Sequence, residues 1–191
     1  MHTLNIPNKG LRRPKSIAHP ALLILLLSGC SFVTQAEPAN AQRLDEVTDR
    51  GAHVMPFGLD KTMHYFAKTP IGGVQQVVTK SASDDEQIAL IRKHLANLAE
   101  RFTAGDFTGP QSIHGKDMPG TQAMAANAQR VKFEYQDLPT GGEIKFVSAE
   151  PDMIAAIHQF MDAQLSDHAR HAQTGMHAMH HVAKHQPAKP N

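Results

Sequence analysis

One cysteine, Cys30, is all the thiol chemistry available in the 191 residues. A lone cysteine forms no internal disulfide and builds no Cys-based zinc site. Also missing are the Gly-x-Ser-x-Gly elbow, the His-Glu-x-x-His helix, the P-loop and the dinucleotide fingerprint. Their absence removes the usual signatures of serine hydrolases, zinc peptidases, nucleotidases and dehydrogenases. No acidic residue precedes Cys30, and the apolar run Ala21 to Leu27 is far below the ~20 residues that span a bilayer.

An acid-free start carrying Lys9, Arg12, Arg13 and Lys15, followed by a short apolar run, has the layout of a secretory signal. It ends in Leu27-Ser28-Gly29-Cys30, which resembles the lipobox of bacterial lipoproteins. That resemblance implies cleavage before Cys30 and a lipid on Cys30. Ser31, where an aspartate would favour retention at the inner membrane, implies the outer membrane. The expected location is therefore the periplasmic side of a bacterial membrane, anchored by lipid. Lipidation would also resolve a free thiol in an oxidising compartment.

The expected organisation is a signal peptide over 1–29, a lipid-anchored tether over 30–52, a globular domain over 53–172 and a disordered His/Met-rich tail over 173–191. Four of the 19 basic residues and none of the 18 acidic ones lie in the leader, so the remainder is slightly acidic. With basic residues scattered among acids, nucleic acid is excluded as an expected partner.

Two stretches of the domain read alike: FAKTPIGGVQQVVTKSASDDEQIALIRKHLANLAERF (66–102) and YQDLPTGGEIKFVSAEPDMIAAIHQFMDAQLSDH (135–168). Each has a β-prone run, a Pro-x-Gly-Gly turn, a second β-prone run, an acidic cap and a long amphipathic segment. The paired glycines suit a tight hairpin needing positive φ. Val131, Phe133 and Tyr135 alternate with polar residues, as do Ile144 and Phe146, which gives one apolar sheet face. Asp84 or Asp85 suits the cap of the first helix, and Glu150-Pro151-Asp152 opens the second. Ile88, Ile91, Leu95 and Leu98 fall at helical spacing, as do Ile154, Ile157, Met161 and Leu165. The expected fold class is α+β: two similar ββα halves, an antiparallel sheet, and helices packed on one face. Between the halves, glycines and prolines predict irregular chain to about residue 120, then a short helix over 121–129.

Several stretches resemble a family of small bacterial proteins often labelled aspartate carbamoyltransferase: HVMPFGLDKTMHYF (53–66), the Gly-Gly hairpin, GDFTGPQSIHGKDMPG (105–120) and FMDAQLSDHARHA (160–172). The resemblance implies a shared fold over most of 53–172. It implies no catalytic residues, because the Ser-Thr-Arg-Thr phosphate loop of a true carbamoyltransferase is absent.

What remains abundant is histidine and methionine, 13 and nine in the chain, of which only His2, His19 and Met1 lie in the leader. Imidazole suits copper, zinc and nickel, and a thioether adds a soft ligand suited to Cu(I). Three groups are candidate metal ligands. In the tail, Met176, His177, Met179, His180, His181 and His185 include an i, i+4, i+8 imidazole ladder; a plain polar tail is the alternative. At the end of the last helix, His168 and His171 share a face beside Asp167; favourable contact with the helix dipole is the alternative. The third group is His53, Met55 and His64 with His114, Asp117 and Met118, each otherwise an ordinary surface or hydrogen-bonded residue. His94 and His158 read as structural, and Met124, Met153 and Met161 as core.

The expected function is to bind or buffer copper or zinc through His and Met, with the tail capturing ions and the domain holding or handing them on. The alternatives are a non-enzymatic envelope adaptor with a protein partner and an unrecognised enzyme using His114 or Asp117.

Overall fold

The computed structural model describes residues 40–177, together with His2. In chain order the elements are α1 (Ala41–Val54), β1 (Thr62–Thr69), β2 (Gly72–Thr79), α2 (Asp85–Thr103), α3 (Thr108–His114), α4 (Thr121–Ala126), a 3-10 turn (Ala128–Arg130), β3 (Lys132–Leu138), β4 (Gly141–Val147), α5 (Pro151–Asp167) and β5 (Ala172–Thr174). The fold is α+β. Its open sheet has the order β3-β4-β2-β1-β5, antiparallel except where β5 joins β1. Among the described residues, no helix is long and apolar enough to cross a membrane.

Each hairpin turn is two residues, Pro70-Ile71 and Pro139-Thr140, so the paired glycines sit in the strands rather than in the turns. Their use differs from the expected one. Of the four, only Gly72 has positive φ, 143°. Along the β2–β4 seam, Gly72 pairs with Val147 and Gly141 with Val78. A Cβ on Gly72 would stand 1.9 Å from the Phe146 carbonyl oxygen, and one on Gly141 2.0 Å from that of Val77. The glycines let the two hairpins approach each other.

α2 lies chiefly over β3 and β4, while α5 lies over β1 and β2. Asp84 caps α2, its side chain accepting from the Gln87 amide, and Asp85 and Glu86 follow in the first turn, where carboxylates suit the helix dipole. α5 starts on Pro151, at the one turn where its missing N–H costs nothing. Ile91, Leu95 and Phe102 from α2 and Ile157, Phe160 and Met161 from α5 meet Phe66, Val77, Ile144 and Phe146 of the sheet in one core. Each such side chain contributes about 1.5–3 kcal/mol on burial. Met124, Met153 and Met161 belong to that core.

Four local expectations change. The stretch after residue 103 is not irregular to residue 120, because α3 forms over Thr108–His114 with Pro110 inside its first turn, where proline is tolerated. The short helix then stops at Ala126 and tightens into the 3-10 turn. The chain before residue 53 is not merely a spacer: α1 packs on the domain. Arg43, Val47 and Arg50 share one helix face, and Val47 is fully buried. At the other end, β5 adds residues 172–174 to the sheet beside β1.

Candidate functional site

The apolar stripe of α5 turns polar as it reaches the open end of the sheet. Ile157 and Met161 are followed one turn apart by Gln164 and His168, both buried, whereas Leu165, expected in the stripe, is only partly covered. On β1, His64 faces the same helices as Phe66. On β2, Gln75 alternates with Val77 on that face. His114 ends α3. These side chains form the inner wall of a cavity of about 240 Å³, whose mouth includes Met55, Phe57, His94 and Arg101.

The imidazoles are packed ring to ring. His64 and His168 stack with centroids 5.2 Å apart and planes 3° from parallel. His114 meets His168 edge-on at 4.8 Å and 84°. His94 is edge-on to Phe57 at 5.6 Å. All three inner histidines are at most 5 % exposed.

Burial decides the protonation of His64, His168 and His94. It pushes His64 down to about 3, assisted by the neighbouring His171, His94 and His114 and opposed by the His171 carbonyl. It holds His168 well below the usual histidine value, with His64 and His114 adding to the effect. His94 falls to about 4 through burial and the Arg101 charge. At neutral pH these rings are uncharged, and each has one nitrogen with a free lone pair. His64 Nδ1, Gln75 Oε1 and Gln164 Oε1 are buried without a hydrogen-bond partner. An unpartnered buried polar atom costs about 1–3 kcal/mol, and these three sit on residues lining one cavity, where solvent or a bound group can meet them.

His114 is held differently. Its Nδ1 lies 2.8 Å from Asp167 Oδ2. Burial alone would raise the Asp167 carboxyl, but hydrogen bonds from His114 and Arg43 outweigh it and bring it to about 2. An ionised carboxylate only accepts, so Nδ1–H donates and Nε2 carries the lone pair when the ring is neutral. A carboxylate fixing the tautomer from behind is the usual support for a metal-binding or proton-transferring imidazole. α1 completes the brace: Arg43 donates to both Asp167 oxygens at 3.1 and 2.6 Å and to the His114 carbonyl at 2.7 Å. Arg50 donates to the Ile113 carbonyl at 2.6 Å.

Of the sequence candidates, the cavity gathers His64, His114, His168 and Met55. Three segments, 53–66, 105–120 and 160–172, supply them together with Asp167. Others lie elsewhere. Met118 is 3 % exposed in the core, where its thioether packs against apolar side chains. Asp117 is exposed. His53 is exposed and its Nδ1 bonds the Asp49 carbonyl of its own helix. The His171 carbonyl accepts from the His64 amide at 2.8 Å, but its ring is not among the lining groups. The His177 ring contacts Tyr65 at 5.3 Å, and its amide donates to Gln76 Oε1. Tyr65 follows His64 on the strand and so faces the other way. His177, with Met176 beside it in the chain, therefore lies on the sheet face opposite the cavity. Met179, His180, His181 and His185 lie outside the described residues.

His94, read as structural, lines the mouth, whereas His158 bonds the Thr69 carbonyl. Sequence reading missed Gln75, Gln164 and the Arg43 brace. A signal existed for each: a Gln-Gln pair inside an otherwise apolar strand, a glutamine continuing an apolar helical stripe, and arginines flanking Val47 at i−4 and i+3.

As the side chains stand, no group of three or more His, Cys, Asp or Glu among the described residues is arranged to hold an ion. No protein-family model matches the chain, and neither a curated protein nor a solved structure does.

Proposed function

We propose that the domain binds a transition-metal ion, copper or zinc, in the cavity through the imidazoles of His64, His114 and His168 with the Met55 thioether nearby. One observation carries the reading. The lining contains four imidazoles and a thioether but no thiol, hydroxyl, amine or carboxylate. Such a wall offers no hydroxyl, thiol, amine or carboxylate nucleophile, and its donors are those of a late first-row metal site. Burial keeps His64 and His168 neutral, as ligation requires. Because the donors are not pre-arranged as a trio, at least one ring turns on loading. The lipobox-like Leu27-Ser28-Gly29-Cys30 supports a lipid-anchored, extracytoplasmic location, where His and Met replace Cys as copper and zinc ligands.

Equilibrium dialysis against copper and zinc tests this, in a full chain with Cys30→Ser, Met179→Leu, His180→Asn, His181→Asn and His185→Asn. One equivalent retained, and lost on adding His168→Asn, is the expected result; an unloaded chain overturns the reading. Radiolabelled palmitate incorporated by the chain and absent from Cys30→Ser tests the anchor.

A second reading is acid–base chemistry at His114. The Asp167–His114 hydrogen bond favours it, since a carboxylate behind an imidazole also equips it to move a proton. With no hydroxyl, thiol, amine or carboxylate in the lining, that reading takes water as the attacking group.

A further inference from the structure

The make-up of the wall bears on which ion it suits. The available donors, His64, His94, His114, His168 and Met55, are all neutral in their ligating forms. The nearest carboxylate, Asp167, is already committed to Arg43 and His114 and is not part of the lining. A divalent ion would bring two positive charges to a buried wall with no anion to meet them, and uncompensated buried charge is costly. Hard ions also call for carboxylate and water oxygens, and zinc for a tetrahedral set of ligands. Among the described residues no three His, Cys, Asp or Glu side chains stand ready for any ion, so binding here starts from fewer than three of them. A soft monovalent ion makes smaller demands. It carries less charge to desolvate, accepts a low coordination number and favours imidazole combined with thioether.

We propose that the cavity selects cuprous ion over Cu(II) and Zn(II), holding it between imidazoles of the His64, His114 and His168 cluster with Met55 as the soft ligand. The proposal rests on the reading that the cavity binds a metal, and it adds which ion and why. It assigns Met55 a specificity role: imidazoles serve all three ions, while the thioether favours only the soft one. Met55 is half-buried at the mouth and packs beside the core. A leucine there conserves volume and apolar character while removing the sulfur.

The test uses the full chain with Cys30→Ser and the tail substitutions above, extended by Met176→Leu and His177→Asn, so that neither the free thiol nor the tail competes. Under anaerobic conditions Cu(I) is titrated against bicinchoninate, and Cu(II) and Zn(II) against chelators of known affinity. The expected result is Cu(I) bound tighter than Zn(II) by on the order of 100-fold, with Met55→Leu costing about 10-fold for Cu(I) and less than about twofold for Zn(II). Circular dichroism of Met55→Leu confirms that the fold is retained. Zn(II) or Cu(II) bound as tightly as Cu(I), with loss on His168→Asn, overturns the selectivity and leaves the metal reading standing. Indifference of Cu(I) affinity to Met55→Leu overturns the role of Met55. No ion bound in the cavity overturns both readings.

Discussion

Two ring clusters share the layer between the sheet and its helices, built on similar geometry with different chemistry. In one, Phe102 and Phe107 stack at 4.5 Å and 9°, and Phe160 meets Phe102 edge-on at 81°. In the other, His64 and His168 stack at 5.2 Å and 3°, and His114 meets His168 edge-on at 84°. The strands even alternate between them: Phe66 and His64 lie two residues apart on β1, their rings 6.2 Å apart. In the phenylalanine cluster every buried atom is apolar, so burial is pure gain. At His64 and His168 the same burial suppresses protonation, and it leaves His64 Nδ1 without a hydrogen-bond partner. A fold able to place phenylalanine in this layer has no packing need for imidazole. The proposed function accounts for the histidines by what their lone pairs can receive.

Acid separates the two clusters most strongly. An unfolded histidine takes up its proton near 6.5, whereas in the fold His64 and His94 resist down to about 3 and about 4 and His168 to well below its ordinary value. Below the ordinary histidine value the unfolded chain therefore binds more protons, and stability falls as pH falls. The three together cost about 4 kcal/mol per pH unit. Asp167, held near 2, adds a further loss as pH drops through the carboxylate range. Urea midpoints of the metal-free chain at pH 7, 6 and 5 measure this; a flat profile contradicts it. Phe102→Ala should come next, costing about 3–5 kcal/mol by opening a cavity, with no change in the pH slope.

Breaking the brace should cost less. Asp167→Asn removes the partner of both Arg43 and His114, and with Arg43 39 % exposed the loss should be about 2 kcal/mol in chemical denaturation. The smallest effect should run the other way. His64→Leu removes an unpartnered buried nitrogen and should stabilise the metal-free chain by about 1 kcal/mol at pH 7. It should also flatten the acid slope by roughly one third, since His64 is one of the three strongly depressed histidines, the more exposed His171 being lowered too. A destabilised His64→Leu would mean the ring is there for packing after all.

The hairpin–helix elements were legible because each signal is local: Pro-x-Gly-Gly, alternation along β3 and β4, and Asp84 and Pro151 at helix starts. The fold class followed from them. The crossing of α2 over β3 and β4 was not legible, because it depends on contacts between residues distant in sequence. The site was half legible. His64, His114 and His168 stood out by residue type, but their convergence depends on the β1–β2–α5 packing, and Arg43 reaches Asp167 across 124 positions of chain. Residue type also misled at Met118 and Asp117. One is core and the other is solvent-facing, a difference set by the turn after α3 rather than by composition.

Long-range proton–nitrogen NMR of the histidine rings during metal titration tests the central claim most directly, because it reports every ring of the full chain at once. With one equivalent of Cu(I), and with zinc in parallel, the account predicts that ring nitrogens of His64, His114 and His168 shift before those of the tail. Shifts confined to His177, His180, His181 and His185, with the cavity rings unmoved, would contradict it.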